Sequence, residues 1–193
     1  MAGTTATSAL LSIGNDDKTD KLTFLNCGDS RSILVGHSSR QTSNGRNDKT
    51  HTIHFATRDH VPDCPSERAR LTTSGHTVEC TFGSRSRLRV GSDYVYAVSR
   101  SLEGQFATSQ GITSAPDVTT LNLSETLSEE ESGILLLASD GLFEVADNER
   151  VAREVVRMRH SGLGAGDSAK RICEFALQNG SRDNISVVII HFE

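Results

Sequence analysis

The sequence predicts an α+β fold in which antiparallel strands come first and helices are concentrated late in the chain. Three observations lead to this prediction. Short apolar segments separated by polar turns dominate the first half, two amphipathic helical patterns follow residue 147, and a β-branched segment at residues 185–192 closes the chain as an expected buried strand. Strands that alternate with turns favour antiparallel sheets, and helices gathered in one part of the chain favour a layered α+β domain.

The most informative segment runs from Gly133 to Val145 and reads GILLLASDGLFEV. Five apolar residues, 134–138, precede Ser-Asp-Gly, a pattern typical of a strand that is buried on both faces and ends in a turn. We therefore expect Asp140 at the end of a core strand, with Gly141 allowing the backbone to turn sharply. That position suits a metal ligand or a catalytic acid. The alternative is an Asx-turn that only ends the strand.

Four strands are predicted in the first third of the chain, at residues 4–13, 22–27, 32–36 and 52–57. Polar turns separate the first three strands, which we interpret as an antiparallel meander. Residues 37–50 are polar, with one glycine and no large apolar side chain. We expect an exposed hairpin loop there.

The middle of the chain predicts one short helix, followed by strands and irregular segments. The helix is expected at residues 65–74, because Pro65 suits its first position and Gly75 suits the residue after its end. Further strands are expected at 76–80, 87–90, 94–98 and 117–123, and irregular structure at 101–115 and 124–132. Two helices follow at 148–160 and 168–179, where apolar residues recur at helical spacing.

Length and composition exclude several classes of protein. A chain of 193 residues suits one domain, and no apolar run approaches the ~18–20 residues of a membrane span. A net charge of -5 argues against a nucleic-acid surface, and four dispersed cysteines indicate reduced thiols. The first residues lack the basic region of a signal peptide. We expect an intracellular, cytoplasmic protein whose partners are neither nucleic acids nor membranes.

Three aspartates share one context, since each lies at the end of a predicted strand beside Gly or Asn. Asp29 and Asp140 follow strands, and Asp183 precedes the final strand. If these strand ends meet, three carboxylates converge, and a cation must offset their repulsion. Oxygen ligands without Cys or His favour Mg²⁺ or Mn²⁺ over zinc. His51 and His54 form a weaker candidate pair at i, i+3.

Six segments, in order along the chain, resemble the metal-dependent protein serine/threonine phosphatases of the PPM type, also called protein phosphatase type two C. They are NCGDSR at 26–31, RDHVP at 58–62 with ERARL at 67–71, LRV at 88–90 with AVSRSL at 97–102, SAPDV at 114–118, LASDGLFEV at 137–145 and SRDNISVV at 181–188. Each segment is a weak signal alone. Together they extend over nearly the whole chain.

The resemblance implies two antiparallel β-sheets packed as a sandwich and flanked by helices. It also implies an enzyme that hydrolyses phosphoserine and phosphothreonine in phosphoprotein substrates by direct attack of a water activated by Mg²⁺ or Mn²⁺. In the family, the aspartates that match Asp140 and Asp183 ligate one metal. Those that match Asp29 and Asp140 surround a third, weaker metal. The supporting residues are Gly141, Asn184 and Glu144.

Two segments of the family have no counterpart in this sequence. One is Asp-Gly-His-Gly-Gly, whose Asp bridges two metals, and the other is Arg-x-x-x-Glu-Asp, whose Arg holds the phosphate. We therefore expect residues 1–193 to form one PPM-type domain that corresponds to its C-terminal two thirds and is incomplete for catalysis, with its catalytic residues unassigned. Phe143 and Glu144 also replace the usual Trp and Asp. The alternative is a pseudophosphatase, or a domain that binds phosphoproteins or a partner without hydrolysis.

Overall fold

The computed structural model describes residues 3–14, 20–41, 47–79, 87–90, 94–103 and 105–192. Its strands are β1 (Ala6–Ser12), β2 (Lys21–Cys27), β3 (Arg31–Gln41), β4 (Asn47–Ala56), β5 (Val78–Glu79), β6 (Arg87–Val90), β7 (Tyr94–Tyr96), β8 (Asp117–Asn122), β9 (Ser132–Ala138) and β10 (Val187–Phe192). Its helices are α1 (Pro65–Thr73), α2 (Gln105–Ser109), α3 (Leu123–Thr126), α4 (Asp140–Phe143), α5 (Asn148–His160) and α6 (Ala165–Gln178).

The chain divides into two compact units. The first unit comprises Met1–Ser8, Leu25–Ser30 and Arg58–Val118. The second unit comprises Ala9–Phe24, Arg31–Thr57 and Thr119–Glu193.

A four-stranded antiparallel sheet with the order β10-β9-β3-β4 forms the centre of the second unit. Strand β9 lies inside this sheet, where Leu136 pairs with Ile33 of β3 and with Ile189 of β10. Five of the seven residues of β9 are buried. The apolar run therefore forms an interior strand, as the sequence predicted, because a strand with neighbours on both edges and layers on both faces has little contact with water.

Alternate side chains of β9 enter two different apolar layers. Ile134 and Leu136 belong to the buried cluster that contains the apolar faces of α5 and α6. Leu135 belongs to a second cluster with Leu22 and Phe24 of β2. Strand β2 is the middle strand of a three-stranded sheet with the order β1-β2-β8. The second unit is thus a sandwich of two sheets with helices on its outer face, which confirms the predicted fold class.

Both late helices are present, and their ends have local causes. The Asp147 side chain accepts a hydrogen bond from the Arg150 N–H (2.8 Å) and caps α5. Helix α6 begins at Ala165, three residues before the predicted start, because Gly164 and Gly166 obscure its first turn. The apolar stripes of both helices lie in the buried cluster beside the sheet.

Strands β1 and β2 are neighbours in one sheet, as predicted, but β3 belongs to a different sheet, so the predicted three-stranded meander is wrong for β3. The turn at Gly28–Ser30 connects one layer of the sandwich to the other. Leu34 of β3 packs against Leu22 and Phe24 face to face, where the prediction placed the two strands side by side. Adjacent strands and stacked strands have the same apolar pattern in the sequence, and the burial of Leu34 at 0% exposure depends on the stacked arrangement.

The polar segment 37–50 is mostly strand, which corrects the prediction of an exposed loop. The pairing of β3 with β4 continues from His37 opposite His51 to Gln41 opposite Asn47, while residues 42–46 lie outside the described residues. Backbone groups make these pairs, so a hairpin can extend beyond the core without apolar side chains. His37 itself is buried.

Strand β10 is an edge strand, and only part of it is buried. Val188 and Ile190 are 55% and 44% exposed, whereas Ile189 is buried on the helix side. The prediction of a fully buried final strand is therefore wrong for one of its faces. A β-branched run reports strand propensity, but whether each face is covered depends on neighbouring layers.

Two segments expected to be irregular contain short helices, α2 and α3. The Asn122 side chain accepts a hydrogen bond from the Ser124 N–H (3.2 Å) and caps α3. Helices of five and four residues are too short to produce a recognisable 3.6-residue period, so a capping residue is the main sequence signal.

Two expectations from composition concern thiols and membranes. Cys27, Cys64 and Cys173 are free cysteines, and Cys80 lies outside the described residues. Within the part of the chain that the structure describes, no helix has the length and apolar character needed to cross a bilayer.

The first unit contains a buried carboxylate, Glu67. Glu67 of α1 is 1% exposed and contacts the guanidinium groups of Arg100 (2.6 Å) and Arg70 (2.9 Å). The Ser99 hydroxyl donates a third hydrogen bond (2.7 Å). Burial acts to raise the pKa of Glu67, but the hydrogen bonds from Arg100, Arg70 and Ser99 outweigh burial and lower that pKa to about 2. A charged network therefore joins α1 to the segment around Ser99.

Replacing Glu67 by Gln keeps the size of the side chain and removes the charge that Arg70 and Arg100 share. We expect the free energy of unfolding at pH 7 to fall by about 2–3 kcal/mol, measured by urea denaturation, because the partly buried guanidinium groups lose their counter-charge in the buried carboxylate. The contribution of Glu67 is complete above its unfolded pKa of 4.5 and is lost as the pH falls toward 2. Wild type and variant should therefore converge in acid.

The matched control is Glu79→Gln, because Glu79 forms an exposed ion pair with Arg89 (2.6 Å). This change should leave the free energy of unfolding nearly unchanged. An equal loss of stability in both variants would contradict a special role for the buried carboxylate.

A second buried polar group, His37, lies in the second unit. Its Nδ1 is 3.3 Å from Nε2 of His160 at the end of α5, and the two rings meet edge to face. Burial, together with the nearby His160, Arg159 and His191, lowers the pKa of His37 to about 4, while Glu131 opposes them. His37 is therefore neutral at pH 7 in the folded protein.

The low pKa of His37 predicts that the second unit loses stability as the pH falls from 6.5 toward 4. In this window the unfolded chain binds a proton that folded His37 does not accept, so unfolding becomes more favourable in acid. Replacing His37 by Gln should make the pH dependence of the free energy of unfolding shallower between pH 7.5 and pH 4.5. Identical slopes for wild type and variant in urea titrations would show that His37 is not responsible.

Candidate metal centre

The end of β9 leads directly into the one-turn helix α4, which begins at Asp140. The N–H of Glu144 donates to the carbonyl of Asp140 (2.9 Å), so the two residues lie one helical turn apart. Residues at i and i+4 of a helical turn project from the same face. The local structure therefore aligns the carboxylates of Asp140 and Glu144.

Ser139 connects the end of β9 to the segment before β10. Its N–H donates to the carbonyl of Ser186 (3.0 Å), and its Oγ accepts from the N–H of Ser186 (3.0 Å) and donates to the carbonyl of Asn184 (3.2 Å). These three bonds continue the β9–β10 pairing beyond the strand ends. As a result, Asp183 lies beside α4.

Gly141 permits a close approach between α4 and the segment before β10. A Cβ atom at this position would lie 2.8 Å from the Asn184 carbonyl oxygen and 3.2 Å from both Asp183 Cβ and Ile185 Cγ1. Gly141 has helical backbone and no positive φ, so its predicted role in a sharp turn is wrong. The glycine is needed because any larger side chain would push Asp183 away from Asp140.

Asp140, Glu144 and Asp183 come together at this point. One carboxylate oxygen from each residue lies within 4.8 Å of the others. Asp140 is half-buried, and the other two residues are exposed. The N–H of Asn184 donates to Oδ1 of Asp183 (2.7 Å) and so orients that carboxylate. Three converging carboxylate oxygens fit Mg²⁺ or Mn²⁺ in donor chemistry and charge.

Helix α4, which carries Asp140, is anchored by the side chains of its last two residues. Leu142 of α4 is fully buried in the cluster beside the sheet. The guanidinium of Arg31 lies 4.3 Å from the ring centroid of Phe143, and its Nη1 donates to the Asn148 side chain (2.5 Å). A cation held over an aromatic face and by a hydrogen bond limits motion of Phe143, the last residue of α4.

Asp29, the third predicted ligand, lies in the first unit, in the turn after β2. It is 8% exposed. No finding tests its role as a metal ligand, so that assignment stays a prediction. The turn itself is held tightly by its neighbours.

Gly28 is the residue through which the turn is held. It has a φ of +117°, and a Cβ there would collide with the side chain of Thr5, so glycine is required. The Gly28 N–H donates to Nδ1 of His60 (3.1 Å), and the His60 N–H donates to the Gly28 carbonyl (2.9 Å). The Asn26 amide donates to the same carbonyl (3.1 Å), and the hydroxyls of Thr5 and Ser30 are hydrogen-bonded (3.0 Å).

The histidine pair at His51 and His54 contacts acids of the second unit. Nε2 of His51 lies 2.8 Å from Glu149, and Nε2 of His54 lies 3.3 Å from Glu131. Each contact connects β4 to another element of the second unit. Each histidine is therefore paired with a glutamate, and neither belongs to the cluster of Asp140, Glu144 and Asp183.

Three residues important to this geometry were missed from the sequence: Ser139, Ser181 and His60. The Ser181 hydroxyl donates to the carbonyl of Gly141 (2.8 Å) and so adds another contact between α4 and the segment before β10. Ser139 directly precedes Asp-Gly, and Ser181 directly follows the Gly that ends α6. Small hydroxyl residues beside such turns are a signal for local side-chain hydrogen bonds.

Comparison with known proteins gives a consistent family. The sequence profile of Protein phosphatase 2C matches residues 1–185. Protein phosphatase 1A of Homo sapiens is 33% identical over 175 residues, which cover 88% of this chain and 40% of the relative. Protein phosphatase 1B of Homo sapiens is also 33% identical, over 31% of its length. The chain therefore spans about two fifths or less of these curated relatives.

Solved structures show the same fold. The crystal structure of serine-threonine phosphatase 2C from Toxoplasma gondii has a TM-score of 0.71 and 23% identity and covers 98% of this chain and 58% of its own. A second phosphatase, from a pathogenic strain of Toxoplasma gondii, has a TM-score of 0.63 and 30% identity, over 90% of this chain and 48% of its own. On the profile match and the sequence identity together, this chain belongs to the Protein phosphatase 2C family.

Proposed function

We propose that this chain carries the metal-binding carboxylates of a metal-dependent protein serine/threonine phosphatase that hydrolyses phosphoserine and phosphothreonine in phosphoprotein substrates. The observation that carries the proposal is the convergence of Asp140, Glu144 and Asp183 within 4.8 Å. It is supported by membership of a phosphatase family, since the sequence profile matches residues 1–185. The cofactor is Mg²⁺ or Mn²⁺, the ions that carboxylate oxygens favour.

Each residue of the cluster has its own task. Asp140 and Asp183 supply the ligand oxygens, and the contact of Gly141 with Asn184 fixes the distance between them. Glu144 is exposed, as is Asp183, and its carboxylate would accept hydrogen bonds from water molecules bound to the cation. A divalent cation held there supplies the charge that binds phosphoryl oxygens and lowers the pKa of a water molecule.

The same proposal assigns Asp29 to the third, weaker cation of the family's site. This assignment comes from the resemblance of residues 26–31 to the family segment, and it is supported by the rigid turn in which Asp29 lies. A carboxylate that is 8% exposed is well suited to hold a ligand geometry, because its surroundings restrict its rotamers. We also propose an intracellular, cytoplasmic location, on the cysteine and charge arguments given above.

The proposal predicts that the 193-residue chain binds Mn²⁺ and that Asp140→Asn weakens this binding on the order of tenfold or more, because the cluster loses one of three negative charges. Isothermal titration measures the affinity. The matched control is Asp167→Asn, an exposed carboxylate in the first turn of α6 and outside the cluster. Equal Mn²⁺ affinity in wild type and Asp140→Asn would contradict the proposed metal site.

Hydrolysis is a separate measurement on the same proteins. Release of phosphate from a phosphothreonine peptide that needs Mn²⁺ and is lost in Asp140→Asn would establish phosphatase activity in this chain. Mn²⁺ binding without any release of phosphate, together with phosphopeptide binding that survives EDTA, would favour the non-hydrolysing phosphoprotein-binding alternative.

A further inference from the structure

The buried residue His60 makes two hydrogen bonds with the residue before Asp29, one through its imidazole and one through its backbone N–H. His60 is 1% exposed. Its Nδ1 accepts from the Gly28 N–H (3.1 Å), and its own N–H donates to the Gly28 carbonyl (2.9 Å). Both polar groups of the Gly28 backbone are therefore held by one residue from another part of the chain.

This arrangement determines which nitrogen of His60 carries a proton. A backbone N–H can only donate, so Nδ1 must be the unprotonated acceptor and Nε2 must carry the hydrogen. Nε2 lies 3.1 Å from the negatively charged Oδ2 of Asp117, an electrostatic contact that lacks hydrogen-bond geometry. The carboxylate of Asp117 thus favours the tautomer that Gly28 requires.

Asp117 is in turn held by charge. Nη1 of Arg100 lies 2.9 Å from Oδ1 of Asp117, and Nη2 of Arg100 lies 2.6 Å from the buried Glu67. The contacts run in sequence from Glu67 through Arg100 and Asp117 to His60, and every member belongs to the first unit. The chain of contacts ends at the turn that presents Asp29.

We infer that His60 is a positioning residue for the metal ligand Asp29: its Nδ1 holds the Gly28 amide, and Asp117 and Arg100 hold the imidazole in the required tautomer and orientation. This inference rests on the proposed role of Asp29. Groups outside the ligand set that orient a ligand typically change metal affinity 10- to 100-fold when they are removed. Because Gly28 and Asp29 are adjacent in the chain, a movement of Gly28 also moves Asp29.

The experiment compares Mn²⁺ affinity in the full chain for wild type, Asp29→Asn, His60→Leu and His60→Asn. Leu fills the volume of the imidazole without an acceptor, whereas the Asn amide oxygen takes the place of Nδ1. We expect His60→Leu to weaken Mn²⁺ binding at the weaker site by about 10-fold, as Asp29→Asn does, and His60→Asn to restore it. The control is His37→Leu, which removes another buried imidazole, from the second unit, and should leave the affinity unchanged.

Hydrogen exchange of the Gly28 amide gives the structural readout. Protection of this amide should fall in His60→Leu and return in His60→Asn, because the amide loses and regains its acceptor. Melting temperatures of the two His60 variants should both be lower than wild type, since both lose the contact with Asp117. Rescue of Mn²⁺ affinity without rescue of stability separates positioning from general destabilisation.

Each other outcome overturns the inference in a distinguishable way. If Asp29→Asn weakens Mn²⁺ binding and His60→Leu does not, Asp29 is a ligand that does not need His60 to position it. If Asp29→Asn leaves binding unchanged, the proposed ligand role of Asp29 fails, and the positioning role fails with it. Equal losses in His60→Leu and His60→Asn would show that the acceptor at Nδ1 is irrelevant.

A milder variant covers the case in which His60→Leu does not fold. Asp117 is 55% exposed, so Asp117→Asn should be tolerated while it removes the charge that orients Nε2. We expect about threefold weaker Mn²⁺ binding and faster exchange of the Gly28 amide, since the neutral amide lacks the negative charge that favours a hydrogen on Nε2 of His60. Wild-type values for both would overturn the inference.

Discussion

The close contact between Gly141 and the carbonyl of Asn184 is the constraint on which the candidate metal centre depends. A Cβ at residue 141 would lie 2.8 Å from that oxygen, closer than non-bonded atoms tolerate. Because there is none, the one-turn helix after β9 packs directly against the segment before β10. The hydrogen bonds of Ser139 and Ser181 then hold the two segments together. The carboxylates converge because the backbones beneath them touch.

The two units stabilise their structures by different means. The second unit has a large apolar cluster shared by the sheet and helices α5 and α6. The buried apolar cluster described in the first unit has four members, Leu71, Leu88, Ala107 and Ile112. Around Glu67 the first unit uses charge-assisted hydrogen bonds, which are directional and fail when one partner is removed. Directional bonds fix orientation better than apolar contacts do, and this suits a region that positions the turn containing Asp29.

The elements and the outline of the site could be predicted from local patterns. The run at residues 134–138 has five apolar residues before Ser-Asp-Gly, which is enough to identify a core strand and a carboxylate at its end. The cluster contains Asp140, Asp183 and Glu144, all of which the sequence singled out. The hydrogen bonds of Ser139, Ser181 and His60 were not predicted, because each joins residues more than 30 positions apart.

The sequence by itself determined the apolar strands and the longer helices, because propensity and periodicity act over a few neighbouring residues. It also determined family membership, since ordered motifs extend along nearly the whole chain. Only the tertiary structure decided which strands pair and which stack, as β2 and β3 show by joining different sheets. It also decided that the hairpin of β3 and β4 extends through polar residues and that one face of β10 is exposed. These features depend on contacts between distant segments, and a local pattern of side chains does not specify its partner.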